Sequence, residues 1–431
     1  MRRKKDEYFI GMVDTFAANQ RYSKNKRRRK TKLYLKRTLM ITLCILLIAG
    51  IGAGTYFFII PAAKNWISSW GAARDEATID EVTPDEIPTT TTEEATTEAP
   101  TETEPVTTVP VTTTPPAPVT NLDFVAPVIP DDGKDGTLYS STLYLYKNTG
   151  YNLFFSTDKV AKHYATSINK IAKGIDKNIT VYNMVVPNHT EFGLPTRIGK
   201  SVENVSQADN IRTIYKNLDS RVKAINCYNA LSEHNSEYIY YNTDHHWTSL
   251  GAYYGYEAFC EQTGKEPVKL SDLKKNSIEG FTGSFYTLTG NSGLYKNADT
   301  VIYYDLPVET EAKMKERMGS DTIYCDVYYP AATSGTLTYG VFCWGDTAQF
   351  VISSSANTGK KIAVVKDSYG NAFAPYLTNH YDEVHLLDFR YWDGNLNDYL
   401  KKNGIDEVLI MNNTMSANST SQVNSMSEAL S

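Results

Sequence analysis

The chain has 431 residues, 41% of them hydrophobic and 21% charged, with a formal charge of −6 at pH 7. That length exceeds one compact soluble domain, and the small net charge averages a basic beginning with an acidic remainder. Beyond the first 37 residues nothing resembles the basic run at the start, which argues against a nucleic-acid partner.

Residues 1–37 carry a dense run of cations, Lys24, Lys26, Arg27, Arg28, Arg29, Lys30, Lys32, Lys36 and Arg37. Residues 38–60 contain no charge and are rich in Leu, Ile, Ala and Gly. At 1.5 Å per residue a helix here reaches about 34 Å, enough to cross a hydrocarbon core of roughly 30 Å. Basic residues ahead of a single span hold the N-terminus in the cytoplasm, so the rest is expected outside the plasma membrane. A cleaved signal peptide fits less well, because the apolar run is long and no small-x-small site ends it. The prediction is an uncleaved signal anchor. Residues 61–135 then read as a juxtamembrane segment and a Thr/Pro/Glu-rich stalk, too poor in apolar surface to order itself.

Residues 136–415 read as one extracytoplasmic α/β domain, and residues 416–431, rich in Ser and Asn, as a flexible tail. Helical spacing over 156–173 precedes a buried strand at 179–186, and the pattern repeats with a helix at 210–218 and a strand at 222–226. Near the C-terminus, strands at 361–365, 384–389 and 407–411 alternate with helices at 371–381 and 395–403. Strands that are apolar throughout, separated by amphipathic helices, predict a parallel sheet covered on both faces. Residues 265–358 break this rhythm and are expected to be a β/loop insertion. Of the cysteines, Cys44 falls in the span and Cys227, Cys260, Cys325 and Cys343 follow it. No Cys-x-x-Cys spacing occurs, so buried thiols or structural bridges are expected rather than a metal site.

Thr243-Asp244-His245-His246-Trp247-Thr248 lies between a strand-like run at 237–241 and a helix-like one from Ser249. If the segment is extended, Asp244 and His246 share a face and His245 points away. Imidazole titrates near working pH, and a carboxylate can orient it, so the pair suits acid–base chemistry. Ligands bind beyond the carboxyl ends of parallel strands. The strand 361–365 runs there into Lys366-Asp367-Ser368-Tyr369-Gly370 and a helix. A serine on such a turn is presented as a nucleophile beside backbone N–H groups, with His246 as its base and Asp244 as the orienting acid. The plainer alternatives are Ser368 as a helix cap and the histidines as hydrogen-bonded core residues. A metal-dependent hydrolase built on Asp244, His245 and His246 is least expected, because adjacent histidines on a strand face apart. No metal or cofactor is therefore assigned.

The Asp-His-His-Trp block, with Gly251-Ala252-Tyr253-Tyr254 and the later Val-Val-Lys-Asp-Ser-Tyr, resembles the DHHW protein family of Gram-positive bacteria. That family is similar to the SGNH-hydrolase-like alginate O-acetylation proteins. The resemblance implies an SGNH-hydrolase-like fold and a triad of Ser368, His246 and Asp244, with His245 as a second candidate base. It also draws in Asn188 after Val186-Pro187, a glycine-containing substrate loop at 281–286, Arg390 at a strand end, and Asn412 as an oxyanion donor beside the turn of Ser368 and Tyr369. Lys366 stands where SGNH esterases carry glycine, and the order of the motifs is reversed. The implied activity is a serine O-acetyltransferase or acetylesterase acting on a cell-surface glycan, with a membrane-bound acyltransferase as partner. The alternative is a non-catalytic glycan-binding protein presenting Trp247, Trp392 and tyrosines as a sugar platform.

Overall fold

The computed structural model describes residues 122–333 and 335–430. The predicted basic segment, membrane span and most of the stalk, residues 1–121, lie outside them. Among the described residues no helix is long and apolar enough to cross a membrane. Residues 122–135, which the sequence assigns to the stalk, pack on the domain instead. Phe124 meets Tyr228 edge-on at 5.3 Å, and the Val125 N–H donates to Asn229 Oδ1 at 2.9 Å. Asn229 Nδ2 donates in turn to the Asp123 carbonyl at 2.8 Å, and Ser232 Oγ to the Val125 carbonyl at 2.6 Å.

A three-stranded meander comes first, β1 (Thr137–Ser140), β2 (Leu143–Tyr146) and β3 (Thr149–Asn152). Its second hairpin turns through Lys147 and Asn148, both with positive φ (50° and 58°), as a two-residue hairpin turn requires. Helix α1 (Asp158–Gly174) buries Ala161, Tyr164, Ala165 and Ile168 along one face and is capped by Thr157. Strand β4 (Thr180–Val186), helix α2 (Gln207–Lys216) and β5 (Val222–Ile225) follow. Helix α3 (Ser249–Thr263) starts at the Thr248 cap. Then come β6 (Lys275–Phe281), α4 (Ser284–Thr289), β7 (Asp299–Tyr304), β8 (Thr310–Lys315), β9 (Ile323–Cys325) and β10 (Gln349–Ser354). The chain continues through β11 (Lys361–Lys366), α5 (Gly370–Phe373), β12 (Glu383–Asp388), α6 (Leu396–Asn403) and β13 (Glu407–Asn413). It ends in α7 (Thr414–Ala417) and α8 (Thr420–Ala429).

The main sheet has eight strands in the order β5-β4-β13-β11-β12-β10-β8-β9. The first five are parallel, and Val364 of β11 sits between Leu386 and Leu409 with all three buried. The remaining strands pair antiparallel, so the sheet is mixed rather than parallel throughout. The segment 265–358 is therefore only partly an insertion, since β8, β9 and β10 extend the sheet and only β6 and β7 form a separate ribbon. Along β8, Ala312 and Met314 are buried while Glu311 and Lys313 are exposed. That alternation is tolerated near an antiparallel edge but not in a strand covered on both faces.

Three further expectations need correction. The run 237–241 forms no strand; Tyr240 makes one isolated bridge to Trp247. The helix predicted at 371–381 is a short α5 and then a 3-10 turn, Ala374–Asn379, because Pro375 has no N–H for a helical ladder. The tail is ordered: α8 buries Val423 and Met426, and Asn424 Oδ1 lies 2.9 Å from His163 Nε2 of α1. Its apolar residues recur at helical spacing, a signal masked by the surrounding Ser and Asn.

Candidate active site

Ser368 follows β11 at the carboxyl end of the parallel strands. Its turn is fixed by the preceding residue. Asp367 Oδ1 accepts the Tyr369 N–H at 3.0 Å, and Oδ2 accepts both the Asn413 N–H at 2.8 Å and its Nδ2 at 3.0 Å. Lys366 is buried, with Nζ 2.8 Å from Asp388 Oδ2. Its stem lies against Gly370, where an added Cβ would come within 2.6 Å of Lys366 Cβ. The glycine is thus needed two positions after the serine, and the lysine fills the space beneath it.

His246 Nε2 lies 2.7 Å from Ser368 Oγ, and His246 Nδ1 lies 2.5 Å from Asp244 Oδ1. This is a continuous hydroxyl–imidazole–carboxylate chain. Asp244 Oδ1 also accepts the His246 N–H at 3.0 Å, and Oδ2 accepts the Ser284 N–H at 2.7 Å. The segment is a tight loop, not an extended strand. Consequently His245 does not face away: its ring lies 3.8 Å from that of His246, and its Nδ1 is 2.8 Å from Ser284 Oγ. His246 already uses both ring nitrogens within the triad, so it, rather than His245, serves Ser368.

Of the residues that grip this loop, Asp299 and Tyr339 carry no signal of a site in the sequence. Asp299 accepts the N–H groups of Asn242 and Thr243, each at 2.8 Å. Tyr339 stacks on His246 at 3.9 Å with 9° between the rings, and its hydroxyl donates to the Ser368 carbonyl at 3.3 Å. Gly283 packs directly on Asp244, where an added Cβ would lie 2.2 Å from Asp244 Cβ. The glycine loop at 281–286 therefore holds the triad's acid, and none of its residues lines the cleft that opens onto Ser368.

Burial opposes the charged form of Asp244, but His245, His246 and the Ser284 N–H outweigh it and hold the carboxyl well below its usual range. Burial, reinforced by His246, pushes His245 below the ordinary histidine value. Asp367 is shifted the other way. Burial raises it, against Arg390 and the N–H donors of Asn413 and Tyr369.

A cleft of about 180 Å³ opens onto Ser368. His245, Tyr369, Arg390 and Asn188 line it, whereas Asn412 and Trp247 do not. Asn412 turns its side chain toward α1, accepting the Tyr164 hydroxyl at 2.8 Å, and the cleft position belongs to Asn413. Trp247 is fully buried and donates from Nε1 to the Tyr369 carbonyl at 3.1 Å. With Trp392 also buried, the predicted tryptophan platform does not exist. Arg390, which lines the cleft, is also ion-paired, with Nε 2.8 Å from Asp388 Oδ1 and Nη2 3.0 Å from Asp346 Oδ1. Within the turn, the N–H groups of Tyr369 and Gly370 are taken by Asp367, the latter at its carbonyl at 3.1 Å. The Ser368 N–H makes no hydrogen bond among the described residues, which leaves it free to donate.

Asp244, His245 and His246 each bring one donor atom within 4.8 Å of the others, a spacing that can hold a metal ion. Such an ion would have to displace His246 from Asp244 or Ser368. Cys227, Cys260, Cys325 and Cys343 are all free thiols, and none lines the cleft.

Residues 128–387 match the family model described as DHHW protein. The crystal structure of a DHHW family protein from Eubacterium siraeum is 31% identical, with a TM-score of 0.63, over 69% of this chain and 100% of that one. Bacillus cereus PatB1, in a structure with a sulfonyl adduct, is 19% identical with a TM-score of 0.54, over 69% of this chain and 100% of that one. Its likeness shows a shared α/β fold with a large sheet flanked by helices. The O-acetyltransferase domain of Pseudomonas putida AlgJ is 11% identical with a TM-score of 0.37, covering 68% and 98% of the two chains, too distant to argue from. No curated protein matches.

Proposed function

The chain belongs to the DHHW protein family, and from that premise we propose that it is a serine acyl-ester enzyme of SGNH type, an O-acetyltransferase or acetylesterase for a cell-surface polysaccharide. The observation that carries this reading is the unbroken chain from Asp244 through His246 to Ser368, with 2.5 and 2.7 Å links, opening into a cleft. Ser368 Oγ forms a bond to the acyl carbonyl carbon while His246 Nε2 takes its proton. Asp244 stabilises the resulting imidazolium. The tetrahedral oxyanion is met by the Ser368 N–H. Collapse breaks the ester C–O bond, and His246 returns the proton to the leaving alkoxide. A sugar hydroxyl or water, deprotonated by His246, then takes the acyl group from Ser368. A cleft of about 180 Å³ suits a small acyl group better than a fatty chain.

The uncharged stretch 38–60 behind a basic leader supports a single-pass anchor in the plasma membrane, cytoplasmic at its N-terminus. An extracytoplasmic enzyme has no acetyl-coenzyme supply, which favours a membrane-bound acyltransferase as donor partner.

The test is p-nitrophenyl acetate turnover by the full-length protein. Ser368→Ala and His246→Ala should each lose about 10³-fold or more in kcat with unfolding midpoints intact. A sulfonyl fluoride should label Ser368 in the parent. Equal, background-level rates in all three proteins would sink the triad.

A further inference from the structure

We infer that Asn152 and Gln422 are specificity-determining residues that recognise the hydroxyls of an uncharged glycan acceptor. This deepens the acyl-transfer reading of Ser368 and rests on it. The groups lining the cleft differ in what they still have to offer. Asp367 accepts three N–H groups, and Arg390 is held between Asp388 and Asp346. Asn188 is likewise engaged: its Oδ1 accepts the Thr190 N–H at 3.0 Å and Gln207 Nε2 at 2.8 Å, and its Nδ2 donates to the Asn152 carbonyl at 3.2 Å. Asn413 Oδ1 accepts the N–H groups of Met415 and Ser416. Asn152 and Gln422 both line the cleft, and neither side chain makes a hydrogen bond among the described residues.

A free carboxamide both donates and accepts, as a sugar hydroxyl does, so each can bind one hydroxyl without leaving either partner unsatisfied. An acidic sugar fares worse. Arg390, the cation lining the cleft, already shares its charge among Asp388, Asp346 and Asp367, so a uronate carboxylate would lose hydration to meet a neutralised cation among three carboxylates. The two residues come from separate elements, the end of β3 and the surface of α8. Gln422 also lies beyond the stretch 128–387 matched by the family. Acceptor choice can therefore differ between relatives that share the triad.

The test is calorimetric binding to the full-length Ser368→Ala protein, which needs no turnover. The serine mechanism thus stands or falls separately, on p-nitrophenyl acetate. A panel of neutral hexose and N-acetylhexosamine tetramers is compared with tetragalacturonate. At least one neutral tetramer should bind about tenfold or more tighter than the uronate. Asn152→Ala and Gln422→Ala should each weaken that binding roughly three- to tenfold. Gln422→Met, which keeps bulk and helix propensity, should show the same loss as Gln422→Ala. The inference is overturned if tetragalacturonate binds best, if no neutral tetramer binds, or if either position can be changed without loss.

Discussion

The turn bearing Ser368 takes its main fixings from the parallel half of the sheet: Asp367 and Lys366 at the end of β11, Asn413 at the end of β13, and Asp388 at the end of β12. His246 and Asp244 stand in an irregular loop, and that loop is gripped from the segment 265–358. Asp299 holds its entry, Gly283 and Ser284 hold the carboxylate, and Tyr339 covers the imidazole. A nucleophile needs only a strand end and a tight turn, which a short stretch of chain supplies. An acid–base pair on a loop has no such scaffold and must be positioned from outside. The two regions should therefore fail differently when damaged.

Damage to the second region should strike activity first. Gly283→Ala places a Cβ 2.2 Å from Asp244 Cβ and 2.5 Å from its Oδ2, so the carboxylate must shift. A displacement near 1 Å in a catalytic constellation costs about 100-fold. The expected result is a kcat on p-nitrophenyl acetate lower by about that factor, with the thermal midpoint nearly unchanged. A large loss of stability with normal turnover would contradict the assignment of this loop as a support for the acid.

Damage to the first region should instead be read as stability. Lys366→Met removes one member of a buried ion pair, yet Arg390 still neutralises Asp388. The expected cost is about 2 kcal/mol in denaturant unfolding, below that of leaving a buried charge wholly unpaired. Residual kcat should fall less than in Gly283→Ala. An unchanged denaturant midpoint would mean that the Lys366–Asp388 pair contributes nothing net.

The same contrast explains what the sequence could reveal. The parallel strands were legible because burial on both faces leaves continuous apolar runs such as Ile362-Ala363-Val364-Val365, and their ends point to the ligand side. Asp244, His246 and Ser368 were legible because their chemistry is rare and the motifs are local. Asp299 and Tyr339 were not, since each acts through a contact dozens of residues away and is unremarkable in its own neighbourhood, and Gly283 stood out only through the family resemblance, without its contact to Asp244. Asn412 was chosen over Asn413 for a related reason. Adjacent residues on a strand point to opposite faces, and only the register against β4 and β11 decides which of them meets the cleft. The ordered α8 was missed because polar composition outweighed its few buried residues.

The smallest effect falls on Tyr339, which divides into two separable contributions. Its ring lies flat on His246, while its hydroxyl makes only a long bond to the Ser368 carbonyl. An aromatic stack of this kind contributes roughly 0.5–1.5 kcal/mol beyond burial, or about a two- to tenfold effect on an imidazole that must keep its orientation through proton transfer. Tyr339→Leu should lower kcat within that range. Tyr339→Phe keeps the stack and should stay within about twofold of the parent, since one long neutral hydrogen bond at a site next to open cleft contributes little. If Phe proved as damaging as Leu, the hydroxyl would be the working group. The insertion would then act on the nucleophile's turn as well as on its base, and the division between the two regions would fail.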